Sequence, residues 1–392
     1  MKILQVNKFL YPHGGAETYL LNLSKLLEQN GHEVIYFSQD ISKNMPCAQK
    51  KYFLSNLELD KFHWKSLLRL SRIFWSFEAS AKIKKLIEDE KPDLVHIHNI
   101  YHQISPSILP VIKKAGIPII MTAHDYKLIR PDYILRADGK KVKPKDSTLV
   151  QLLLSAEFYF HRIIKIYSRN IKLFLTPSKF LKDKLIEKGY SPVEAVPLFI
   201  DLENYPELPK NTDNPYIVFF GRLHESKGAD VLIKAMGKIH DKKIKLKIAG
   251  AGPEETNLKS LANELKLTER IEFLGHKNKE ELIQIIGKSL FAVVPSRFHE
   301  TFGLSVLESF ACGRPVIATR AGAVPELIND KNGVLFEVDN AEELSLAIDK
   351  LLADKNLLDK MSLEAKTTAR NFSPQKHYQR INEIYAEAIR NK

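Results

Sequence analysis

Short apolar segments alternate with longer segments of helical spacing through most of the chain. At the start, an apolar run at residues 3–6 is followed by two glycines, by helical spacing over residues 16–29, and by a second apolar run at residues 32–37. A strand, a helix and a strand in this order pair the two strands in parallel through a right-handed crossover. Because the same rhythm recurs as far as residue 353, we predict an α/β protein built on parallel sheets.

Three prolines interrupt this alternation between residues 201 and 215, which is typical of an interdomain connection. We therefore predict two Rossmann-like, doubly wound domains at residues 1–204 and 205–372. An amphipathic helix over residues 373–392 is expected to pack back toward the N-terminal domain. Open parallel sheets bind ligands beyond the carboxyl ends of their strands, so we expect the two domains to face a cleft.

Composition excludes several classes of protein. Two cysteines among 392 residues are too few for a disulfide-stapled fold or a four-thiolate zinc site. There is no run of about 18 uncharged apolar residues, and the first residues lack the order of a signal peptide. These features predict a cytoplasmic protein. The formal net charge of +12 favours an anionic partner, such as a phosphorylated small molecule, an anionic lipid or a nucleic acid.

Two cations lie five residues apart in the turn after the apolar run at residues 216–220. They are Arg222 and Lys227, and the helical spacing that follows them begins at residue 229. A strand-to-helix turn already favours anions through its backbone amides, and a guanidinium with an ammonium suits a diphosphate. The glycine spacing differs from that of a Walker A loop. A solvated basic loop is the alternative interpretation.

Two carboxylates lie eight residues apart around the start of a later helix. Glu300 precedes the helix and Glu308 lies inside it, about 80° past two full turns, so both can border one site. The amides of the intervening turn, which includes Phe302, Gly303 and Leu304, can receive a phosphate. Alternatively, Glu300 caps the helix and Glu308 is a solvated charge, although its spacing turns it toward the apolar side.

Glycines and histidines also follow predicted strands. Gly14 and Gly15 come after the first strand and Gly250 after another, where glycine allows a ligand to approach the backbone or simply makes a turn. The histidines of a His-x-His strand, His96 and His98, with Asp125 as a further ligand, could hold zinc. We favour a polar role for His124 in the site and a hydrogen-bonded core role for His96.

Taken together, these motifs resemble family 4 of the retaining glycosyltransferases, which have the GT-B fold. The resemblance runs nearly from end to end and rests on the following segments: 14–17, 122–125, 221–222 with 227–228, 250–252, Glu300 with Glu308, 313–318, 322, 325–326 and 332–333. The segments 92–99 and 124–128 are similar to those of transferases that build bacterial surface polysaccharides. The resemblance implies that the C-terminal domain binds a nucleotide-sugar donor and the N-terminal domain an acceptor.

The resemblance also implies roles for single residues. Arg222 and Lys227 would neutralise the leaving diphosphate in place of a metal ion, so neither a metal nor a cofactor is expected. His124 would face the sugar near the reacting carbon. The remaining donor contacts would come from Gly14, Gly15, Gly250, His276, Glu300, Phe302, Gly303, Leu304 and Glu308, with Glu308 on the ribose, Glu300 on the sugar, and Gly250 and His276 near the base.

The expected reaction is transfer of a sugar from a nucleotide sugar, with UDP favoured over GDP, to a hydroxyl of a glycan or lipid-linked acceptor. The basic and apolar stretch at residues 149–188 would suit peripheral contact with the inner face of the plasma membrane. The alternative is a helix packed on its own sheet with a solvated basic side. No nucleic-acid-reading module is apparent, so nucleic acid is not an expected partner. A nucleotide-sugar epimerase of the same fold and a non-catalytic nucleotide-binding protein are the alternatives.

Overall fold

The computed structural model describes residues 1–56, 72–140 and 148–391. They form two compact units. The N-terminal unit contains the described residues of Met1–Tyr133, Lys143–Leu198 and His377–Lys392, and the C-terminal unit contains those of Ile134–Val142 and Phe199–Lys376. None of the helices in these described ranges is long and apolar enough to cross a membrane.

A six-stranded parallel sheet is the centre of the N-terminal unit. Its strands are β1 (Lys2–Val6), β2 (Glu33–Phe37), β3 (Leu94–Ile97), β4 (Ile119–Thr122), β5 (Leu173–Thr176) and β6 (Val193–Ala195), in the order β2-β1-β3-β4-β5-β6. Ile3 pairs with Val34 on one side and with Leu94 on the other. Every residue of β3 and β4 is buried, as expected for parallel strands covered on both faces.

Helices connect these strands. They are α1 (Gly15–Gln29), α2 (Phe77–Glu90), α3 (Tyr101–Ile104), α4 (Ile108–Lys114), α5 (Thr148–Ile163), α6 (Ile166–Asn170) and α7 (Lys179–Glu187), with a 3₁₀ helix at Ala48–Tyr52. Serine side chains cap the amino ends of α2 and α7. Ser76 accepts a hydrogen bond from the amide of Ala79, and Ser178 accepts one from the amide of Leu181.

The C-terminal unit repeats the architecture. Its strands are β7 (Tyr216–Phe220), β8 (Lys245–Ala249), β9 (Ile271–Gly275), β10 (Ala292–Val294), β11 (Val316–Thr319) and β12 (Gly333–Phe336), in the order β12-β11-β10-β7-β8-β9. Its helices are α8 (Ala229–Lys238), α9 (Glu255–Glu264), α10 (Lys279–Lys288), α11 (Leu304–Ala311), α12 (Val324–Leu327), α13 (Ala341–Ala353) and α14 (Lys355–Ala369), with 3₁₀ helices at Leu202–Asn204, Glu225–Lys227 and Arg370–Phe372. The predicted fold class is confirmed by these two parallel sheets.

The C-terminal helix α15 (Pro374–Arg390) packs on the N-terminal unit from His377 onward. Its apolar side buries Ile381, Ile384 and Tyr385. The Tyr385 hydroxyl lies 2.6 Å from Nδ1 of His96, on the central strand β3. The amphipathic spacing of the tail therefore covers part of this unit's core.

In both sheets, the first strand of the unit has neighbours on two sides. β1 lies between β2 and β3, and β7 lies between β10 and β8. The direction of winding reverses at these strands, and the loops on either side of such a switch point diverge to leave room for a ligand. The residues that follow β1, β3, β7 and β10 are therefore the ones placed to contact a ligand.

Candidate functional site

The loops that follow β7, β8 and β9 are connected by backbone hydrogen bonds at the carboxyl edge of the C-terminal sheet. The amide of Gly221 donates to the carbonyl of Ala249 at 3.0 Å, and the amide of Gly250 donates to that of Gly275 at 2.8 Å. A Cβ atom on Gly250 would lie 1.9 Å from the carbonyl oxygen of Gly221. Glycine is thus required at residue 250 by the packing of one loop on the next. His276, predicted to border the base, follows β9 at this edge and is exposed.

Lys227 and Glu300, two predicted site residues, meet across the switch point of this sheet. Lys227 follows β7, Glu300 follows β10, and the ammonium lies 2.8 Å from Oε1 of the carboxylate. The same ammonium lies 4.4 Å from the ring centroid of Phe298. Both side chains are partly exposed, so the pair can exchange partners with a ligand. Arg222, in the same loop, is exposed and forms no ion pair with any described residue.

Arg297 holds the loop that carries Lys227 in place, although no sequence pattern marks it as a site residue. Its guanidinium binds both carboxylate oxygens of Asp230, at 2.7 and 2.8 Å, and donates to the carbonyl of Glu225 at 2.9 Å. It also pairs with Asp339, and its own amide donates to the carbonyl of Ser226 at 2.7 Å. The side chain is 10 % exposed, so this bidentate pair is largely shielded from water.

A short segment of the C-terminal unit, residues 134–138, supports the same region. The amide of Ala137 donates to the carbonyl of Arg297 at 2.7 Å, and the amide of His299 donates to that of Leu135 at 2.8 Å. The guanidinium of Arg136 lies 3.1 Å from a carboxylate oxygen of Glu225. The chain on both sides of Phe298 is therefore fixed immediately before Glu300.

The turn that begins α11 is where the sequence predicted an anion site. Gly303 is its N-cap, with a φ of 101°, and a Cβ atom there would lie 3.3 Å from Cδ1 of Leu327. Phe302 is buried with its ring centroid 5.9 Å from that of Phe372, and Leu304 is the first residue of the helix. The amino end of the helix favours negative charge.

Glu308 lies one turn further along α11 and is half-buried. Burial raises the pKa of its carboxyl group to about 7, against the opposing charge of Lys279. Among the described residues, its side chain has no hydrogen-bond partner. A carboxyl group partly removed from water is stabilised by hydrogen-bond donors, and the hydroxyl groups of a ligand would supply them.

A pH-dependent stability is expected from Glu308. The ordinary pKa of 4.5 is raised in the folded state, so the folded protein binds this proton more tightly than the unfolded chain between these pKa values. The free energy of unfolding should therefore decrease as the pH rises from about 5 to about 7.5. Glu308→Gln should flatten this dependence, as measured by urea unfolding at both pH values. If the free energy of unfolding changed equally with pH in the unmodified protein and in Glu308→Gln, the raised pKa would not belong to Glu308.

The N-terminal unit brings His124 into a chain of buried polar groups. Nε2 of His124 lies 2.9 Å from Nδ1 of His98, whose Nε2 lies 2.8 Å from Oε1 of Gln5. Burial lowers the pKa of His124 to about 3, so this imidazole is neutral near pH 7. A neutral imidazole can accept or donate a hydrogen bond without adding charge.

The neighbouring His96 is the hydrogen-bonded core histidine that the sequence suggested. Its ring nitrogens lie 2.6 Å from the hydroxyl of Tyr385 and 2.7 Å from that of Thr122. Within the described ranges, no group of three His, Cys, Asp or Glu side chains is placed to hold a metal ion. The structure therefore gives the zinc interpretation no ligand set in those ranges.

Gly14 and Gly15 are exposed at the start of α1, where the sequence predicted a glycine loop. Gly14 has a φ of −163°, an extended conformation that any residue adopts. Its backbone therefore does not require glycine. On the surface predicted for membrane contact, α5 exposes Leu152, Tyr159 and Ile163, and the contact itself stays a prediction.

Two family profiles match the chain, one in each half. The profile described as "Glycosyltransferase Family 4" matches residues 13–204, and the profile described as "Glycosyl transferases group 1" matches residues 202–368. A relative from Klebsiella pneumoniae, described as an uncharacterized 42.6 kDa protein in the cps region, is 27 % identical over 378 residues, which cover 89 % of this chain and 97 % of the relative.

Solved structures share the fold at lower identity. Sucrose-phosphate synthase from Thermosynechococcus elongatus has a TM-score of 0.75 at 19 % identity, covering 100 % of both chains. HepE from Anabaena, solved in complex with UDP, has a TM-score of 0.70 at 19 % identity, covering 99 % of this chain and 100 % of that one. The parallel-sheet units described above are thus an architecture that these proteins share.

Proposed function

The chain belongs to the GT-B glycosyltransferases, with family 4 matched in its N-terminal half and group 1 in its C-terminal half, and from this premise we propose its reaction. It is a retaining, metal-independent transferase. It moves a sugar from a nucleotide sugar, of which UDP-sugars are favoured, to a hydroxyl of a glycan or lipid-linked acceptor. The observation that carries this proposal is the Lys227–Glu300 pair, at 2.8 Å across the switch point of the C-terminal sheet.

The C-terminal unit supplies the donor contacts in this proposal. Lys227 and Arg222 bind the diphosphate, and the amino end of α11 receives a phosphate oxygen. Glu308 accepts hydrogen bonds from the ribose hydroxyls, which explains why its carboxyl group has no hydrogen-bond partner among the described residues. The structure of HepE in complex with UDP supports a uridine nucleotide as the donor's carrier.

Glu300 has a second role when the donor binds. In the structure its carboxylate pairs with Lys227, and in the proposed complex Lys227 turns its charge to the diphosphate while Glu300 accepts hydroxyls of the sugar. The ring of Phe298 lies beneath the ammonium of Lys227 and attracts its charge. Gly250 and His276 lie at the same sheet edge, where the base is proposed to bind.

The chemistry follows from where charge develops. The bond between the anomeric carbon and the phosphate oxygen breaks, which leaves an oxocarbenium-like sugar and a diphosphate with an added negative charge. A fixed ammonium and guanidinium stabilise that charge as it forms. The acceptor hydroxyl attacks from the face that the diphosphate leaves, and a phosphate oxygen of the leaving group takes its proton. His124, being neutral, offers the sugar a hydrogen bond without opposing the positive charge on its ring.

A panel of nucleotide sugars tests the proposed reaction. We expect UDP-sugars to raise the melting temperature and to be hydrolysed slowly when no acceptor is present, with release of the sugar in its original anomeric configuration. A thermal-shift assay measures the melting temperature, and mass spectrometry and NMR measure the release of the sugar and its anomeric configuration. An epimerase would instead convert the sugar without releasing it. Absence of binding and turnover with UDP-, GDP- and ADP-sugars would remove the proposal.

A further inference from the structure

Three aromatic rings follow β1 and contact one another. The ring centroid of Phe9 lies 5.4 Å from that of Tyr11 and 5.1 Å from that of His13, and those of Tyr11 and His13 lie 5.6 Å apart. Phe9 and Tyr11 are half-buried and His13 is exposed. We call Phe9, Tyr11 and His13 the aromatic platform. Burial of the remaining exposed surface of these rings by a ligand would be favourable.

The backbone beneath the aromatic platform is held from several sides. The amide of Lys8 donates to the carbonyl of Asn99 at 2.9 Å, and the amide of Leu10 donates to Oδ1 of Asn44 at 3.0 Å. Leu10 itself is fully buried in a small apolar cluster with Leu20. The rings are therefore presented by a fixed chain, which lowers the entropy lost when a ligand binds.

Two ammonium groups flank the rings. Nζ of Lys8 lies 5.4 Å from the centroid of Phe9, and Nζ of Lys43 lies 6.0 Å from that of Tyr11. Neither forms an ion pair with a carboxylate within the part of the chain that the structure describes. Burial raises the pKa of Asp125, next to His124, and the charge of Lys8 opposes that rise. The ammonium of Lys8 therefore lies close enough to influence both the ring of Phe9 and the carboxyl group of Asp125.

The aromatic platform also lies where ligands bind in a doubly wound sheet. β1 has β2 on one side and β3 on the other, so residues 8–13 leave the sheet at its switch point. His98 follows β3 on the other side of that point, and it contacts His124 at 2.9 Å. The rings, the two ammonium groups and the histidines are thus on loops that leave the same edge of the N-terminal sheet.

We propose that the aromatic platform with Lys8 and Lys43 is the acceptor subsite, and that it takes a hexose ring that carries a phosphate group. The C–H face of the sugar stacks on Phe9 and Tyr11, and the ammonium groups pair with phosphate oxygens. This assignment rests on the proposed transferase function. It narrows the acceptor to a phosphorylated sugar, either free or as the head group of a lipid.

Binding of a small probe to the full chain tests the subsite. Glucose 1-phosphate is the probe, and saturating UDP keeps its phosphate out of the proposed donor site. Saturation-transfer NMR and calorimetry should show binding at least tenfold tighter than that of methyl glucoside, which lacks the phosphate, or of inorganic phosphate, which lacks the ring. Equal binding of inorganic phosphate and the probe would indicate a simple anion site and overturn the proposal.

Matched variants locate the binding. Tyr11→Ala and Lys43→Ala should each weaken glucose 1-phosphate binding about tenfold, since each removes one of the proposed contacts. Phe77→Ala, at an aromatic residue that is 81 % exposed elsewhere in the unit, and Lys25→Ala, at an exposed lysine of α1, should leave it unchanged. Lys43 is exposed, so its removal leaves the core intact.

UDP affinity and donor hydrolysis, measured in the same variants, separate the two proposals. Both should stay within threefold of the unmodified protein if the aromatic platform serves only the acceptor. Unchanged probe binding in Tyr11→Ala and Lys43→Ala would remove the subsite while donor hydrolysis continues. If the unmodified protein neither bound nor turned over UDP-, GDP- or ADP-sugars, the transferase proposal itself would fail. A polyprenyl phosphosugar in detergent then distinguishes a lipid head group from a free sugar phosphate by its tighter binding.

Discussion

Lys227→Ala is expected to lower kcat by about a thousandfold, because removing one fixed charge from a developing anion costs two to three orders of magnitude. Its ammonium pairs with Glu300 at 2.8 Å and is 28 % exposed, so it is available to a diphosphate. Steady-state kinetics with a UDP-sugar measure the loss. The melting temperature should change little, since a partly exposed ion pair contributes about 1 kcal/mol or less to folding.

A second variant separates two effects of this substitution. Removing Lys227 also leaves the Glu300 carboxylate, which is 13 % exposed, without its cation. The double variant Lys227→Ala with Glu300→Gln removes that unpaired charge, and its kcat should lie well below that of Glu300→Gln alone, which keeps the ammonium for the diphosphate. Lys238→Ala is the control, since this lysine pairs with Glu342 on the surface. A kcat for Lys227→Ala within threefold of the unmodified protein would refute the assigned role.

The fold was predictable because each strand and helix has a recognisable residue pattern within its own segment of the sequence. Buried parallel strands are continuous apolar runs and amphipathic helices have their own period, so β3, β4 and most connecting helices stand out in the sequence. β6 escaped prediction because its central residue is Glu194 and none of its three residues is fully buried, so it lacks the apolar run of an inner strand. The helix α5 was interpreted as a basic and apolar surface, because its charges and apolar residues do not by themselves show what it packs against.

The meeting of Lys227 with Glu300 was predictable for a different reason. The two residues are 73 positions apart, but they follow β7 and β10, which are neighbours in the sheet. Since loops that leave the same edge beside a switch point converge, motifs after strands can be assigned to one site without knowing any contact. The sequence could not show that the ammonium of Lys227 would already be paired with the carboxylate of Glu300.

Contacts that depend on shape were not predictable. For Gly250 the sequence left ligand approach and a simple turn as alternatives, and the structure shows that a Cβ atom there would collide with Gly221. His98 follows β3 and His124 follows β4, and the two side chains come into contact because these strands pair in one particular register. The sequence does not show that register. Arg297 pairs with Asp230 and Asp339, which lie 67 and 42 positions away, and no local period marks such partners.

Arg297→Lys is expected to lower the free energy of unfolding by about 2 to 3 kcal/mol, because lysine keeps the charge but loses the bidentate pair. One ammonium cannot reproduce the contacts with Asp230, Asp339 and the carbonyl of Glu225. Urea unfolding near neutral pH measures the change. Arg320→Ala is the control, since this arginine pairs with Glu337 at the surface and should contribute less than about 0.5 kcal/mol.

The pH dependence of this loss identifies its cause. Burial tends to raise the pKa of Asp230, but the hydrogen bonds and charge of Arg297 outweigh burial and hold it below its ordinary value of 3.8. A lowered carboxyl pKa contributes stability that is complete above the ordinary pKa and is lost as the pH falls through the lower one. The difference in free energy of unfolding between the unmodified protein and Arg297→Lys should therefore be largest near neutral pH and should decrease below about pH 4.

Arg297→Lys should also weaken donor binding, because it loosens the loop that carries Lys227. The guanidinium of Arg297 binds the carbonyl of Glu225, two residues before Lys227, so its substitution loosens the loop that positions the ammonium, while the main-chain contact with Ser226 remains. We expect the KM for the UDP-sugar to rise about tenfold, with a smaller change in kcat, because positioning energy is lost before the chemical step. An unchanged KM together with the full loss of stability would limit Arg297 to a structural role and leave Lys227 positioned by Glu300 and Phe298 alone.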